Sequence, residues 1–194
     1  SIAQSWSIIS EAGEESKQKQ AIESLESHLI DKESGIIKLL DPPFEKSKLE
    51  PGYIKSYLPG VRENGGQYTH AAVWAIIAET FLGRGDTAVE LYRMITPIEH
   101  ARTKETANKY KVEPYVIAAD VYGAKNLAGS GGWTWYTGSS SWMYEAGIKY
   151  ILGLNIVKDF LRITPCIPKE WKEYSIKYRY GSSIYNITVK NKNG

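Results

Sequence analysis

The sequence has a single cysteine, Cys166, in 194 residues. That excludes an internal disulfide framework and a four-cysteine zinc site. Histidine is scarce too, with only His28, His70 and His100, so a histidine-rich metal centre is not expected. No run of about 18 apolar residues occurs, and no transmembrane helix is expected. Net charge is nearly absent: 24 Lys and Arg stand against 22 Asp and Glu, which leaves +2. So small an excess makes no electrostatic case for nucleic acid or for an anionic membrane. The start lacks a methionine, a charged n-region and an apolar signal core, which points to a processed or cut piece and to a cytoplasmic protein. Phenylalanine is rare, at three residues, beside 14 Tyr and six Trp. Tyr and Trp join a flat apolar face to a polar tip. Such faces stack on sugar rings, whose hydroxyls then seek polar partners, and they also fill cores. Position along the chain has to decide between the two.

What is present reads as a helical body followed by strands. SIAQSWSIIS has helical spacing, and Ala21, Ile22, Leu25 and Leu29 line one face of a helix over 14–30. Residues 31–67 are rich in Pro, Gly and Tyr and form a long loop, a length that is usually functional in a compact domain. In YTHAAVWAIIAETFLGRG a stripe of Ala71, Trp74, Ala75, Ala78 and Leu82 predicts a helix stopped by Gly83 and Gly85. Asp86 is expected to cap the next helix, TAVELYRMI, and Pro114 to open another over YVIAADVYG. WMYEAGIKYILGL is apolar nearly all round and predicts a buried helix. After Leu154 the period changes to two. EYSIKYRYG and SSIYNITVKN, joined by a Gly-Ser turn, read as a hairpin. The expected division is 1–155, a partial barrel of paired helices, and 156–194, a C-terminal β segment.

Four constellations carry candidate chemistry. In RENGGQYTH, Gly65 and Gly66 make a tight turn before a helix whose first turn holds Thr69 and His70. Helix N-termini favour anions, so phosphate is one reading and a buried structural histidine the other. In GGWTWYTGSSSWMY, the Thr137-Gly138-Ser139 run at a helix start offers free N–H groups and hydroxyls, a second candidate phosphate site. It has neither the lysine and spacing of a P-loop nor the GxSxG elbow of a serine hydrolase. In KVEPYVIAADVYG, Glu113 and Asp120 lie seven residues apart. On one helix that is roughly 10 Å of rise, too far for a retaining carboxylate pair, so Glu113 reads as a sugar or loop ligand and Asp120 as structural. In TPIEHARTKET, His100 and Arg102 sit at a helix end before a capping Thr103, either at the rim or in a structural role.

Taken in order, GYIKSYLPGVRENGGQYTHAAVW, ITPIEHARTKE, KYKVEPYVIAADVYG, GGWTWYTGSSSWMYEAGIKYILGL and ITPCIPKEW resemble the C-terminal part of glycoside hydrolase family 94. That family contains inverting glycoside phosphorylases and the phosphorylase-like region of cyclic β-1,2-glucan synthase. The resemblance runs over nearly the whole chain. It implies a mainly α fold, the second half of an (α/α)6 barrel followed by a small C-terminal β segment. It implies phosphate binding by His70, Thr137 and Gly138, and sugar contacts by Tyr57 and Glu63. Glu113, Trp133 and Trp135 complete the expected sugar-binding set. The reaction implied is phosphorolysis of a β-glucosidic bond to α-glucose 1-phosphate, with inorganic phosphate as co-substrate and no cofactor or metal. Cellobiose-type members carry a Gln where this chain reads Ala118-Ala119; the wording here is closer to the β-1,2-glucan members. The family's general acid is an Asp in a GDWND-like block upstream of ENGG. None of the five Asp here lies in such a block, so no catalytic acid is expected within this chain. The expected partners are a β-glucan oligosaccharide and phosphate, with a second copy of the full-length protein as a candidate dimer partner. A synthase setting would instead make the protein inner-membrane associated.

Overall fold

The computed structural model describes residues 1–192. Helix α1 (Ile2–Ile9) and helix α2 (Glu15–Leu29) open the chain, and α2 buries Ile22, Leu25 and Leu29 along one face. A small hairpin follows, β1 (Ile30–Asp31) against β2 (Ile36–Ile37). The long loop then carries a 3-10 turn at Gly52–Ser56 and runs into β3 (Gln67–Tyr68).

Helix α3 (Thr69–Phe81) is the centre of the molecule. The predicted stripe understates it: Ala71, Ala72, Val73, Ala75, Ile76, Ile77 and Ala78 are all buried, so every side of the helix is covered. The small residues let neighbours approach closely. Helix α1, helix α4 (Gly85–Met94) and helix α7 (Thr137–Glu145) pack around it. Ile8, Ile22, Leu25, Leu91, Met143 and Ile151 fill the shared core.

Several expectations are corrected here. Asp86 lies inside the first turn of α4, where its Oδ1 accepts from the Lys169 backbone N–H at 3.0 Å, tying the β segment down instead of capping the helix. The run after Pro114 is not a helix. It is a turn followed by β4 (Asp120–Val121), which pairs antiparallel with β3. The segment WMYEAGIKYILGL is not buried all round, since Tyr144 is exposed. It begins earlier, at Thr137, and ends in a π-helical turn over Ala146–Ile151. Between these elements lie α5 (Pro97–His100) and α6 (Lys104–Tyr110), the latter started by a Thr103–Thr106 capping box. Seven α-helices are present among the described residues.

The β segment is two hairpins. Strands β5 (Leu154–Val157) and β6 (Phe160–Ile163) pair antiparallel, as do β7 (Glu173–Tyr180) and β8 (Ser183–Lys190). The second is the predicted hairpin, with Gly181 at φ 58° in its two-residue connection. No helix among the described residues is long and apolar enough to cross a membrane.

A carboxylate is buried on the central helix. Glu79, on α3, is fully covered, and burial together with the neighbouring Glu26 carboxylate pushes its pKa from 4.5 up to about 7. Arg84 Nη1 stands 3.6 Å from its Oε2, an ion-pair contact too long for a hydrogen bond, while bonding Glu26 at 3.0 Å. A raised carboxyl pKa means that the folded chain holds this proton more tightly than the unfolded chain. Its contribution is therefore complete below pH 4.5 and is lost as pH rises through about 7. Glu79→Gln is expected to raise stability by roughly 3 kcal/mol at about pH 8 and to leave it unchanged at about pH 4. Paired thermal melts at the two pH values check this; an equal shift at both contradicts the assignment.

Candidate functional site

The site is built where the N-termini of two helices meet. Tyr68 is the N-cap residue of α3 and Tyr136 that of α7, and neither cap is closed by a side chain. The first N–H groups of a helix lack intrahelical partners, so such ends present donors and positive potential. His70 stands in the first turn of α3, and Thr137, Gly138 and Ser139 form the first turn of α7. The two meet directly: a Cβ on Gly138 would lie 2.9 Å from both Cε1 and Nε2 of His70. On its other nitrogen, His70 Nδ1 is 3.0 Å from Ser139 Oγ.

Aromatic rings enclose the imidazole. Tyr68 stacks on it at 5.4 Å between centroids, Tyr136 meets it edge-on at 5.4 Å and Trp74 at 6.0 Å. The Tyr68 and Tyr136 hydroxyls are 3.3 Å apart. That hydrogen bond, with burial behind it, pushes the Tyr68 phenol up to about 12. Burial pushes the His70 pKa below its usual 6.5, so the ring is neutral near pH 7.

The approach loop is folded by its own backbone and by Asn64. Gly60 N–H bonds the Asn64 carbonyl at 2.7 Å, and Gly66 N–H bonds the Arg62 carbonyl at 3.0 Å. The turn leaves Arg62 at φ 48° and Gly65 at φ 93°, and a Cβ on Gly66 would strike the Arg62 carbonyl at 2.9 Å. The Asn64 side chain is fully buried. Its Oδ1 accepts from Phe44 N–H at 2.7 Å and its Nδ2 donates to the Tyr57 carbonyl at 2.8 Å. Asn64 thus clips both arms of the long loop to the turn that carries Glu63. One Glu63 oxygen, Oε2, is buried without a hydrogen-bond partner.

Beside Glu63 lies a platform. The Arg62 guanidinium sits 5.5 Å from the Tyr57 ring centroid and 5.3 Å from that of Trp133, bridging the two aromatics. Trp133 is held from below: its backbone carbonyl accepts from Ala119 N–H and its N–H donates to Asp120 Oδ1 at 3.0 Å. Asp120 is 2% exposed and its Oδ2 has no partner. Burial raises its pKa, opposed by the Trp133 N–H and by Arg62, with Glu63 adding to the rise. Gly132 has no room for a side chain, because a Cβ would meet this carboxylate at 2.5 Å.

The structure thus brings His70, Thr137 and Gly138 together, and sets Tyr57, Glu63 and Trp133 around Arg62. Glu113 and Trp135 form a separate pair further out. Trp135 Nε1 donates to Glu113 Oε1 at 3.2 Å, with Tyr115 edge-on to the indole at 6.2 Å. Trp133 and Trp135 are 64% and 65% exposed, so both offer open ring faces. Glu113 and Asp120 do not share a helix, and the geometry assumed for that pair falls away. His100 is half-buried and stacked on Tyr110 at 4.8 Å, with its pKa pushed down to about 4 by burial and by the neighbouring Lys109, which fits a structural role. Arg102 pairs with Glu99 at the surface. Arg62 and Tyr136 were not singled out by sequence reasoning as site residues; adjacency to ENGG and to the Thr-Gly pair was the available signal. Among the described residues no group of three or more His, Cys, Asp or Glu is placed to hold a metal.

The chain is 48% identical over 189 residues to the cyclic β-(1,2)-glucan synthase NdvB of Rhizobium meliloti, covering 97% of this chain and 7% of that protein. It is 32% identical over 192 residues to solabiose phosphorylase of Paenibacillus borealis, covering 98% of this chain and 24% of the relative. It is 30% identical over 185 residues to N,N'-diacetylchitobiose phosphorylase of Vibrio proteolyticus, covering 95% and 22%. The chain therefore spans at most about a quarter of the length of these relatives. Residues 1–153 match the catalytic domain of the glycosyl hydrolase 94 superfamily, and the chain belongs to that family.

Proposed function

We propose that this chain is the phosphate-binding and donor-sugar part of a glycoside phosphorylase, one half of an (α/α)6 barrel with the β segment packed at its end. The observation that carries the reading is the meeting of His70 with Gly138 at two helix N-termini that no side chain caps, although the Thr69 N–H of α3 is already bonded to the Ala119 carbonyl at 2.9 Å. An uncapped helix end, a Thr hydroxyl and a neutral imidazole N–H supply donors without a competing carboxylate, which suits an oxyanion. Glu63, with its unpartnered oxygen, accepts from a sugar hydroxyl, and the rings of Tyr57 and Trp133 stack on the sugar. Trp135 and Glu113 lie where a longer oligosaccharide continues.

In the complete enzyme an oxygen of inorganic phosphate attacks the anomeric carbon. The C1–O glycosidic bond breaks, the C1–O–P bond forms, and an acid from upstream sequence protonates the leaving oxygen. Attack from the opposite face inverts a β-glucoside to α-glucose 1-phosphate. One carboxyl group suffices, because phosphate replaces the activated water of an inverting hydrolase. No cofactor enters this scheme. The substrate class proposed is β-1,2-linked gluco-oligosaccharide, supported by the resemblance to a β-(1,2)-glucan synthase across 97% of the chain. The same resemblance favours a second reading, a phosphorylase-like segment within a cyclic glucan synthase.

The test is glucose 1-phosphate release by the full-length protein from phosphate with either β-1,2-gluco-oligosaccharides or cellobiose. Release from the β-1,2 substrates alone supports the reading. Release from cellobiose removes the linkage assignment and leaves the phosphorylase. Release from neither favours the synthase segment. The 194-residue chain on its own is expected to release none.

A further inference from the structure

Ser139 lies in the first turn of α7 and is 0% exposed. Its Oγ is 3.0 Å from His70 Nδ1, and no other partner for it is found among the described residues. The two residues are 69 positions apart, so the contact exists only because α3 and α7 pack N-terminus to N-terminus. The imidazole has little freedom to turn away. Tyr68 covers one face, Tyr136 and Trp74 meet it edge-on, and the Gly138 backbone lies against Cε1 and Nε2.

A neutral imidazole carries one proton, and which nitrogen holds it depends on the hydrogen bond made by the other. To donate to an anion beside Gly138, His70 must carry that proton on Nε2. Nδ1 must then accept, and among the described residues the hydroxyl bonded to it is that of Ser139. A buried hydroxyl with no other acceptor donates there at no loss.

We propose that Ser139 is a positioning residue for phosphate recognition: its hydroxyl donates to His70 Nδ1, fixing the ring and its proton so that Nε2–H points to the anion site at Gly138. This rests on the phosphate reading above and deepens it. The arrangement is also the reverse of a hydrolytic Ser–His pair, in which the serine contacts Nε2 and an acid holds Nδ1. Here the serine occupies the acid's place and is sealed from solvent, so it orients the imidazole and does not attack substrate.

The experiment uses the full-length protein and measures KM for phosphate and for the oligosaccharide separately. Ser139→Ala changes little volume. It is expected to raise the phosphate KM about tenfold, the size of one lost hydrogen bond, with the oligosaccharide KM within about twofold of wild type. Ser139→Thr keeps the hydroxyl and is expected to restore the phosphate KM. Thermal melts of each variant identify any general loss of folding. An alanine variant with unchanged phosphate KM, or with both KM values raised together, overturns the proposal while the phosphorylase reading stands. A threonine variant that melts like wild type yet shows the alanine defect overturns it as well. Wild-type protein with no phosphate dependence removes the reading and this proposal together.

Discussion

His70→Ala is expected to lower kcat/KM for phosphate by about two to three orders of magnitude, the usual loss when a preorganised donor to a reacting oxyanion is removed. The geometry explains why the effect is so large. In the proposed site His70 is the side-chain donor placed directly against the Gly138 backbone, with Tyr68 stacked on the ring and Tyr136 edge-on to it. Its burial lowers the imidazole pKa, so the ring acts as a neutral donor at and above its ordinary 6.5. Protonation of His70 therefore does not limit phosphate binding as pH rises from neutral. The measurement is steady-state phosphorolysis by the full-length variant with phosphate varied at saturating oligosaccharide. A variant with nearly normal phosphate kinetics removes His70 from the anion site and makes it a packing residue between Tyr68 and Trp74.

The second large effect belongs to Asn64. Asn64→Ala deletes two side-chain hydrogen bonds at 2.7 and 2.8 Å and strands the part-buried Phe44 N–H and Tyr57 carbonyl. Each stranded group costs about 1–3 kcal/mol. The cost falls locally, because those bonds are what fasten the 41–63 segment to the Gly60–Gly66 turn. The expected result is a fall in melting temperature on the order of 5–10 °C. Tryptic cleavage at Lys46, Lys48 or Lys55 is expected to rise strongly, because those lysines lie on the freed arm. Tyr57 and Glu63 move with the loop, so oligosaccharide binding weakens as well. An unchanged melt and an unchanged cleavage pattern contradict this role.

Helices α1 to α4 and the β7–β8 hairpin were legible because their signals are local. A helix with Ile22, Leu25 and Leu29 on one face, or two alternating strands across a Gly-Ser connection, satisfies its backbone within a few residues. The residues after Pro114 misled for the opposite reason. VIAAD is a short apolar run, which periodicity cannot assign. Its backbone is satisfied at a distance, by β3 at Gln67 and Tyr68 and by Trp133. The covering of α3 on all sides was also hidden, since a helix rich in alanine reads as one stripe until its neighbours are placed around it.

The same division holds at the site. The motif blocks carried the family resemblance, while local chemistry marked His70 and the Thr137-Gly138-Ser139 run only as two separate candidate phosphate sites; it was the resemblance that joined them and added Tyr57 and Glu63 as sugar contacts. Local chemistry reached that far because a Gly-Gly turn or a Thr-Gly pair before a helix offers donors wherever it folds. Only the tertiary structure decided that Glu113 partners Trp135 and not Asp120, that Arg62 bridges Tyr57 and Trp133, and that Ser139 faces the inner nitrogen of His70. Each of these is a contact between segments far apart in the chain. Spacing in sequence carries no information about which helix ends meet, since that is settled by how α3 buries its surface against α7.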